Sequence, residues 1–452
     1  MKNIAVLALT FLLLTSCKST NQNSKTNSVF DSDVKKIVSA MTLREKIGQV
    51  LLVNFRFFDV NEWNFPHGDL IEYEDINGKK YNVVAVDRLN NTITTAIKKY
   101  HIGNIILFAE NFNSTKSAVN LISNMQITAT HSGNLPLIIS VDQEGGRVNR
   151  FFQTTVFPPA AVIGMTEKPV LAFTEGQFLA EQCTTFGINL DFAPVCDVNS
   201  NPENPVIGDR SFSSVPKTAA LFSAELSKGL RSKNVIACAK HFPGHGDTDT
   251  DSHLGLPIIK KSKSQWNLCE AVPFKKIISE NIPVIMSAHI QYPALDSSKI
   301  KAEKTGRMIV RPATLSKKIL TDLLRGELGF EGVICTDALD MRAISKNFTE
   351  SQAVIEALNA GADMLCNPIQ IISQKDLLRL EDLYQKIELA VKDGSLSEAR
   401  LTEAAMRIVQ LKKDYGILSA IYTLPTKEDI SNTQKILSDK KYANFKNSII
   451  KK

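Results

Sequence analysis

Short apolar runs rich in β-branched residues recur along the chain, separated by stretches whose apolar positions repeat at helical spacing. The runs are Val50–Asn54, Asn104–Phe108, Leu137–Val141, Ile188–Pro194, Val235–Lys240, Pro283–His289, Gly332–Thr336 and Asp363–Cys366. Between them lie amphipathic segments such as Thr314–Leu328, Ser351–Asn359 and Asp376–Lys392, alternating with the runs as βα units do. A strand that is apolar throughout has no face suited to water, so cover on both sides and a parallel sheet are predicted. Eight such units predict an α/β fold of the (β/α)8 TIM-like barrel type, although an open doubly wound sheet has the same local pattern. The placement of the chemistry favours closure. Asp142, Asp197, Lys240 with His241, His289, Asp337 and Asn367 all fall at or soon after the end of a run, and a parallel barrel opens every strand C-terminus on one face.

Two regions stand outside this repeat. Residues 56–91, from Arg56 to Asn91, are long, aromatic and charged, with Trp63, Phe65, Pro66, Tyr73 and Tyr81, and read as an insertion after the first strand with a hairpin around Asn77-Gly78. Such an insertion either walls the barrel mouth or decorates its outside. Residues 417–452 are lysine-rich, contain Pro425 and have little apolar content, so they read as a solvated basic extension rather than a second core. The barrel is thus expected as a single domain over residues 31–416.

Composition narrows the class without changing the fold. With 43% hydrophobic and 22% charged residues the chain is of ordinary globular make-up, and its net charge of +6 is modest and partly concentrated in the tail from Lys440 to Lys452, so no nucleic-acid partner is indicated. The N-terminus does add something. Met1-Lys2-Asn3 is followed by an apolar run from Ile4 to Leu14 and by Leu14-Thr15-Ser16-Cys17, a secretory pattern too short to span a bilayer. The cut site resembles the bacterial lipobox, which implies a signal peptide over residues 1–17, lipidation at Cys17, a flexible tether over residues 18–30 and an extracytoplasmic, membrane-anchored location. The other six cysteines form no CxxC pair, and Cys238, Cys335 and Cys366 lie in apolar runs, so they are expected as buried free thiols.

Three stretches carry the candidate chemistry. Lys240-His241-Phe242-Pro243-Gly244-His245-Gly246-Asp247 continues through Asp251-Ser252-His253, and its Pro and Gly residues make it a loop. The i, i+4 pair His241 and His245 binds metal on a helix, not in such a loop, so no metal site is expected. Asp251 and His253, one residue apart, form a dyad in an extended segment, the carboxylate fixing the imidazole for acid/base work; a capping Asp beside a solvated His is the plainer alternative. Gly332–Met341 aims Asp337 at the barrel mouth, as a nucleophile or as a helix cap. Asp142-Gln143-Glu144-Gly145-Gly146-Arg147-Val148-Asn149-Arg150 pairs carboxylates with arginines in a tight turn suited to sugar hydroxyls, and Glu144 is an alternative general acid. Lys240 at a strand end also admits a Schiff-base aldolase, and a non-catalytic sugar-binding protein is the third class.

With Gly208-Asp209-Arg210-Ser211-Phe212 added, these motifs in this order resemble glycoside hydrolase family 3, and within it the β-N-acetylglucosaminidase branch, from about Met41 to Gly416 with the insertion unmatched. The resemblance implies Asp337 as nucleophile, His253 oriented by Asp251 as acid/base, and Asp142, Arg150, Arg210, Lys240 and His241 as residues that hold the sugar. It implies no cofactor, and retention of configuration through a glycosyl-enzyme. The expected substrates are cell-wall fragments, chitin oligomers or other glycans carrying terminal β-linked N-acetylglucosamine. The second αβα domain of some relatives is not expected here. A histidine that is neutral after giving up its proton repels an anionic acceptor less than a carboxylate does, so phosphate is an alternative acceptor and a β-glucosidase or glycoside phosphorylase the nearest alternative activity.

Overall fold

The structure, a computed structural model, describes residues 30–63, 68–75, 78–249, 251–252 and 255–450. Cys17, the tether before residue 30, Asn77 and His253 lie outside the described residues.

Each of the eight apolar runs contains a strand: β1 Leu51–Asn54, β2 Asn104–Ile106, β3 Ile138–Val141, β4 Leu190–Asp191, β5 Ile236–Phe242, β6 Val284–Ser287, β7 Val333–Thr336 and β8 Leu365–Cys366. All neighbours are parallel and the order is β7-β6-β5-β4-β3-β2-β1-β8. The two ends meet where Cys335 bridges Met364 and the Thr336 N–H donates to the Met364 carbonyl at 2.9 Å, so the sheet curls into a nearly closed barrel. Strand positions are buried almost throughout, as cover on both faces requires. The helices pack tightly outside. Where Pro169–Phe186 crosses Pro216–Arg231, a Cβ on Gly176 would stand 2.3 Å from the Leu226 carbonyl oxygen and one on Gly229 2.1 Å from that of Phe173, so only glycine allows the crossing.

The segment after β1 forms a three-stranded antiparallel sheet in the order Phe57–Asp59, Lys80–Ala85, Ile71–Glu74. Its hairpin turn holds Gly78 at φ +82°. Ile71 and Tyr73 share one face of their strand and, with Phe57, Tyr81 and Val83, pack against Ile372 beyond β8. Because β8 pairs with β1, this sheet has its packing partner next door. The six cysteines from Cys183 to Cys366 are free thiols, five of them buried.

The solvated tail expected at the C-terminus is corrected by the structure. Residues there form helices Lys427–Leu437 and Lys440–Ile450, with Leu437, Tyr442 and Ile449 buried. Tyr442 and Phe445 interleave with Phe157 and Phe178 at ring distances of 5.3 to 6.1 Å, and Lys441 pairs with Glu181 at 2.7 Å. Tyr442, Phe445 and Ile449 are spaced i, i+3, i+7, a helical stripe diluted by the lysines between them. Phe157 belongs to the long segment after β3, so these helices brace the outside of a loop that reaches the barrel mouth.

Candidate active site

The strand C-termini open into a cavity of 350 Å³ that collects Asp142, Arg150, Arg210, Lys240, His241 and Asp337. Its central cation is Lys240, from β5, only 2% exposed. The ammonium lies 2.6 Å from Asp142 Oδ1 and 2.5 Å from Glu144 Oε1, both carried by the turn after β3. Arg210 closes the cluster with two parallel hydrogen bonds to Glu144, at 2.8 and 2.7 Å, a planar fork on a carboxylate. Arg150 is less fully held. It stands 3.7 Å from Asp142 Oδ2, and its buried Nε has no hydrogen-bond partner, which leaves donor capacity for an incoming oxygen.

These contacts remove two of the roles considered from sequence. Burial raises the Glu144 carboxyl, but the adjacent Arg210 and Lys240 charges win and hold it far below the usual carboxylate range, so it is not a general acid. Burial lowers the Lys240 amine, but Asp142 and Glu144 more than compensate and its pKa rises above the ordinary lysine value. A permanently charged ammonium has no lone pair for a Schiff base, so the aldolase reading fails.

Asp337 follows β7 directly. Its backbone N–H donates to the Ser287 carbonyl of β6 at 3.1 Å, and its Oδ1 accepts from the Ala338 N–H at 2.8 Å, so the carboxylate is oriented before any ligand arrives. His289 sits behind this turn, fully buried. Its Nε2 is 2.9 Å from the Ala338 carbonyl oxygen, an acceptor only, so Nε2 carries the proton and clips the turn to β6.

The loop after β5 is anchored at both ends. Asp197, beyond β4, is buried and binds the His241 ring at Nδ1 (2.6 Å) while accepting the His245 backbone N–H (2.6 Å). Burial raises its carboxyl, but the His241 charge and hydrogen bonds bring the net below the ordinary value. His245 lies against Thr248 Oγ1 through Nδ1 (2.9 Å) and Ser252 Oγ through Nε2 (3.1 Å), and burial drives its pKa down to about 4. Both nitrogens of His245 are engaged in the loop, and His241 gives one to Asp197; among the described residues no group of three or more metal-binding side chains occurs. The Ser252 carbonyl accepts from the Ala343 N–H at 3.2 Å, which docks the far end of the loop onto the segment after Asp337. Asp251 is half-buried beside it, with its carbonyl bound to the Gly255 N–H at 3.0 Å; it does not line the cavity.

Part of the wall was not expected from the motifs. Arg56, Phe57 and Tyr73 bring the insertion to the mouth, which settles its place as a wall of the cavity. Arg56 clasps Glu110 at 2.9 and 2.5 Å between the rings of Phe57 and Phe108. From the β8 side come Asn367, bound to Asn54 at 3.1 Å, and Gln370, which donates to Asp340 at 3.0 Å. Gln370 carries no sequence signal beyond being polar near a strand end.

The charged pocket is assembled at the strand C-termini of a nearly closed parallel barrel, the face on which barrels of this kind carry their sites. Residues 42–411 match the glycosyl hydrolase family 3 N-terminal domain, and the chain belongs to that family. It is 39% identical over 379 residues to Beta-hexosaminidase A of Pseudoalteromonas piscicida, covering 82% of this chain and 61% of that protein. A Beta-hexosaminidase of Chromobacterium violaceum is 36% identical over 275 residues, 59% of this chain and 72% of that one. The structure also superposes on a glycoside hydrolase family 3 beta-N-acetylglucosaminidase from a Paenibacillus species with a TM-score of 0.71 and 31% identity, covering 88% of this chain and 68% of that one. The chain thus spans about three fifths of the length of the Pseudoalteromonas relative.

Proposed function

We propose that this protein is an exo-acting, retaining β-N-acetylglucosaminidase that hydrolyses terminal non-reducing β-linked N-acetylglucosamine from cell-wall fragments, chitin oligomers or other glycans. The observation that carries the reading is the convergence of Asp337 with Asp142, Arg150, Arg210, Lys240 and His241 on one cavity. At 350 Å³ the cavity is at the small end of ligand sites, suited to a chain end rather than a run of polymer. The names of the relatives support the acetamido sugar.

In this reading Asp337 attacks the anomeric carbon and forms the glycosyl-enzyme, while His253, oriented by Asp251, protonates the departing oxygen and then activates water. Asp142 and His241 bind hydroxyls. Lys240, Arg210, Arg150 and Arg56 match the four carboxylates Asp142, Glu144, Asp337 and Asp340 in number, which keeps the pocket near neutrality while positive charge builds at the anomeric centre. The decisive assay compares the p-nitrophenyl β-glycosides of N-acetylglucosamine and glucose, with and without phosphate. Faster turnover of the acetamido sugar is expected, with free sugar as product. Preference for the glucoside overturns the branch, sugar 1-phosphate overturns hydrolysis, and binding without turnover favours the non-catalytic reading.

The protein is further proposed to act outside the cytoplasm, anchored through a lipid on Cys17, on the strength of the Ile4–Leu14 run and the Leu14–Cys17 segment. Labelling with a radioactive fatty acid is expected for the wild type and lost in Cys17→Ser. Equal labelling of both would sink the anchor.

A further inference from the structure

We infer that the inserted sheet builds the binding site for the sugar ring on the leaving side of the scissile bond, with Tyr73 and Gln370 as its specificity-determining residues and a neutral pyranose as its ligand. The inference rests on the glycosidase reading above and adds what the substrate's second ring meets.

The geometry places that ring. A leaving group departs beside the acid/base, and the loop bearing Asp251 and Ser252 ends docked by Ser252 onto Ala343. That contact puts the loop end beside the segment Asp340–Met341, which lines the cavity next to Asp337. From Asp340 a polar edge runs outward, since Gln370 donates to Asp340 at 3.0 Å and lines the cavity together with Tyr73. Across the barrel, β1 and β8 lie opposite β4 and β5 in the strand order, so the insertion faces Lys240 and His241 across the mouth. The cavity thus has two dissimilar halves. One is the charged cluster around Lys240, and the other is an aromatic and amide wall.

The chemistry of that wall matches a sugar ring. Tyr73 and Phe57 stand with ring centroids 5.3 Å apart, Tyr73 is half-buried, and both line the cavity, giving an apolar surface on which the C–H face of a pyranose can rest. Asp340 and Gln370 beside it accept and donate to hydroxyls. The cation on this wall, Arg56, is already held in two hydrogen bonds by Glu110, and Asp340 would repel a carboxylate, so a neutral ring is favoured over an acidic one.

The test separates the two halves of the cavity by using substrates that do and do not reach the wall. N,N′-diacetylchitobiose places a second ring there, whereas β-N-acetylglucosaminyl fluoride leaves only a fluoride ion. In Tyr73→Ala, kcat/KM for the disaccharide is expected to fall about tenfold while that for the fluoride stays within about twofold, the loss of one stacking surface. Gln370→Leu, with Tyr73→Phe beside it, provides the same comparison should the alanine variant fold poorly, which thermal melting reports. Equal losses on both substrates, or none on the disaccharide in any folded variant, overturn the inference alone. Wild type that cleaves neither substrate overturns the glycosidase reading and this one with it.

Discussion

Asp337→Ala is expected to lower kcat for the p-nitrophenyl substrate by about four orders of magnitude or more, the scale at which removal of a covalent nucleophile acts. The expectation comes from orientation as much as from residue type. Asp337 is fixed by a backbone bond to β6 and by its own Ala338 N–H, and His289 holds the following carbonyl, so its carboxylate is kept in one orientation. Asp340 lies one turn on and is bound to Gln370. The diagnostic arm is rescue. Small anions such as azide fit the space the carboxylate leaves and attack the anomeric carbon from that face, so α-glycosyl azide should accumulate in Asp337→Ala and not in Asp340→Ala. Residual activity in Asp337→Ala within tenfold of wild type, or a rescued product of β configuration, would move the nucleophile elsewhere.

The barrel was legible in the chain because parallel strands buried on both faces leave an unmistakable mark: each of the eight runs contains a strand, and every strand residue from Ile138 to Val141 or Val284 to Ser287 is buried. The site was legible for a related reason. A barrel turns the sequence position "end of a strand" into a place in space, so Asp142, Lys240 and Asp337 could be expected together before any distance was known. What did not show was whatever depends on partners distant in sequence. Glu144 and Lys240 each have two plausible chemistries read alone, and only their mutual contact, with Arg210, fixes both as permanent charges. The insertion reads equally well as ornament, because its seat against Ile372 follows from β8 closing beside β1. The C-terminal helices hide for a different reason: their apolar stripe through Tyr442, Phe445 and Ile449 is narrow, and lysines around it dominate composition.

The cluster proposed to hold the sugar also stabilises the fold, and Glu144 is where the two separate. Glu144→Ala leaves Lys240 buried with Asp142 alone and Arg210 without its ion-pair partner, and removal of one partner from a buried ion cluster costs about 3–5 kcal/mol. The pH dependence gives the sharper test. In the folded protein the Glu144 carboxyl is held well below its ordinary value of 4.5, so its contribution is fully present above that value and is lost progressively as the pH falls below it. Urea denaturation should therefore show the largest gap between wild type and Glu144→Gln near neutrality and a narrowing gap below pH 4.5, because glutamine keeps the shape and cannot titrate. A gap that stays constant down to pH 3 would mean that the cost of the substitution is packing and not charge. In that case Lys240 and Arg210 would be balanced by Asp142 and solvent, and the pocket would owe its geometry to the barrel backbone rather than to the ion cluster.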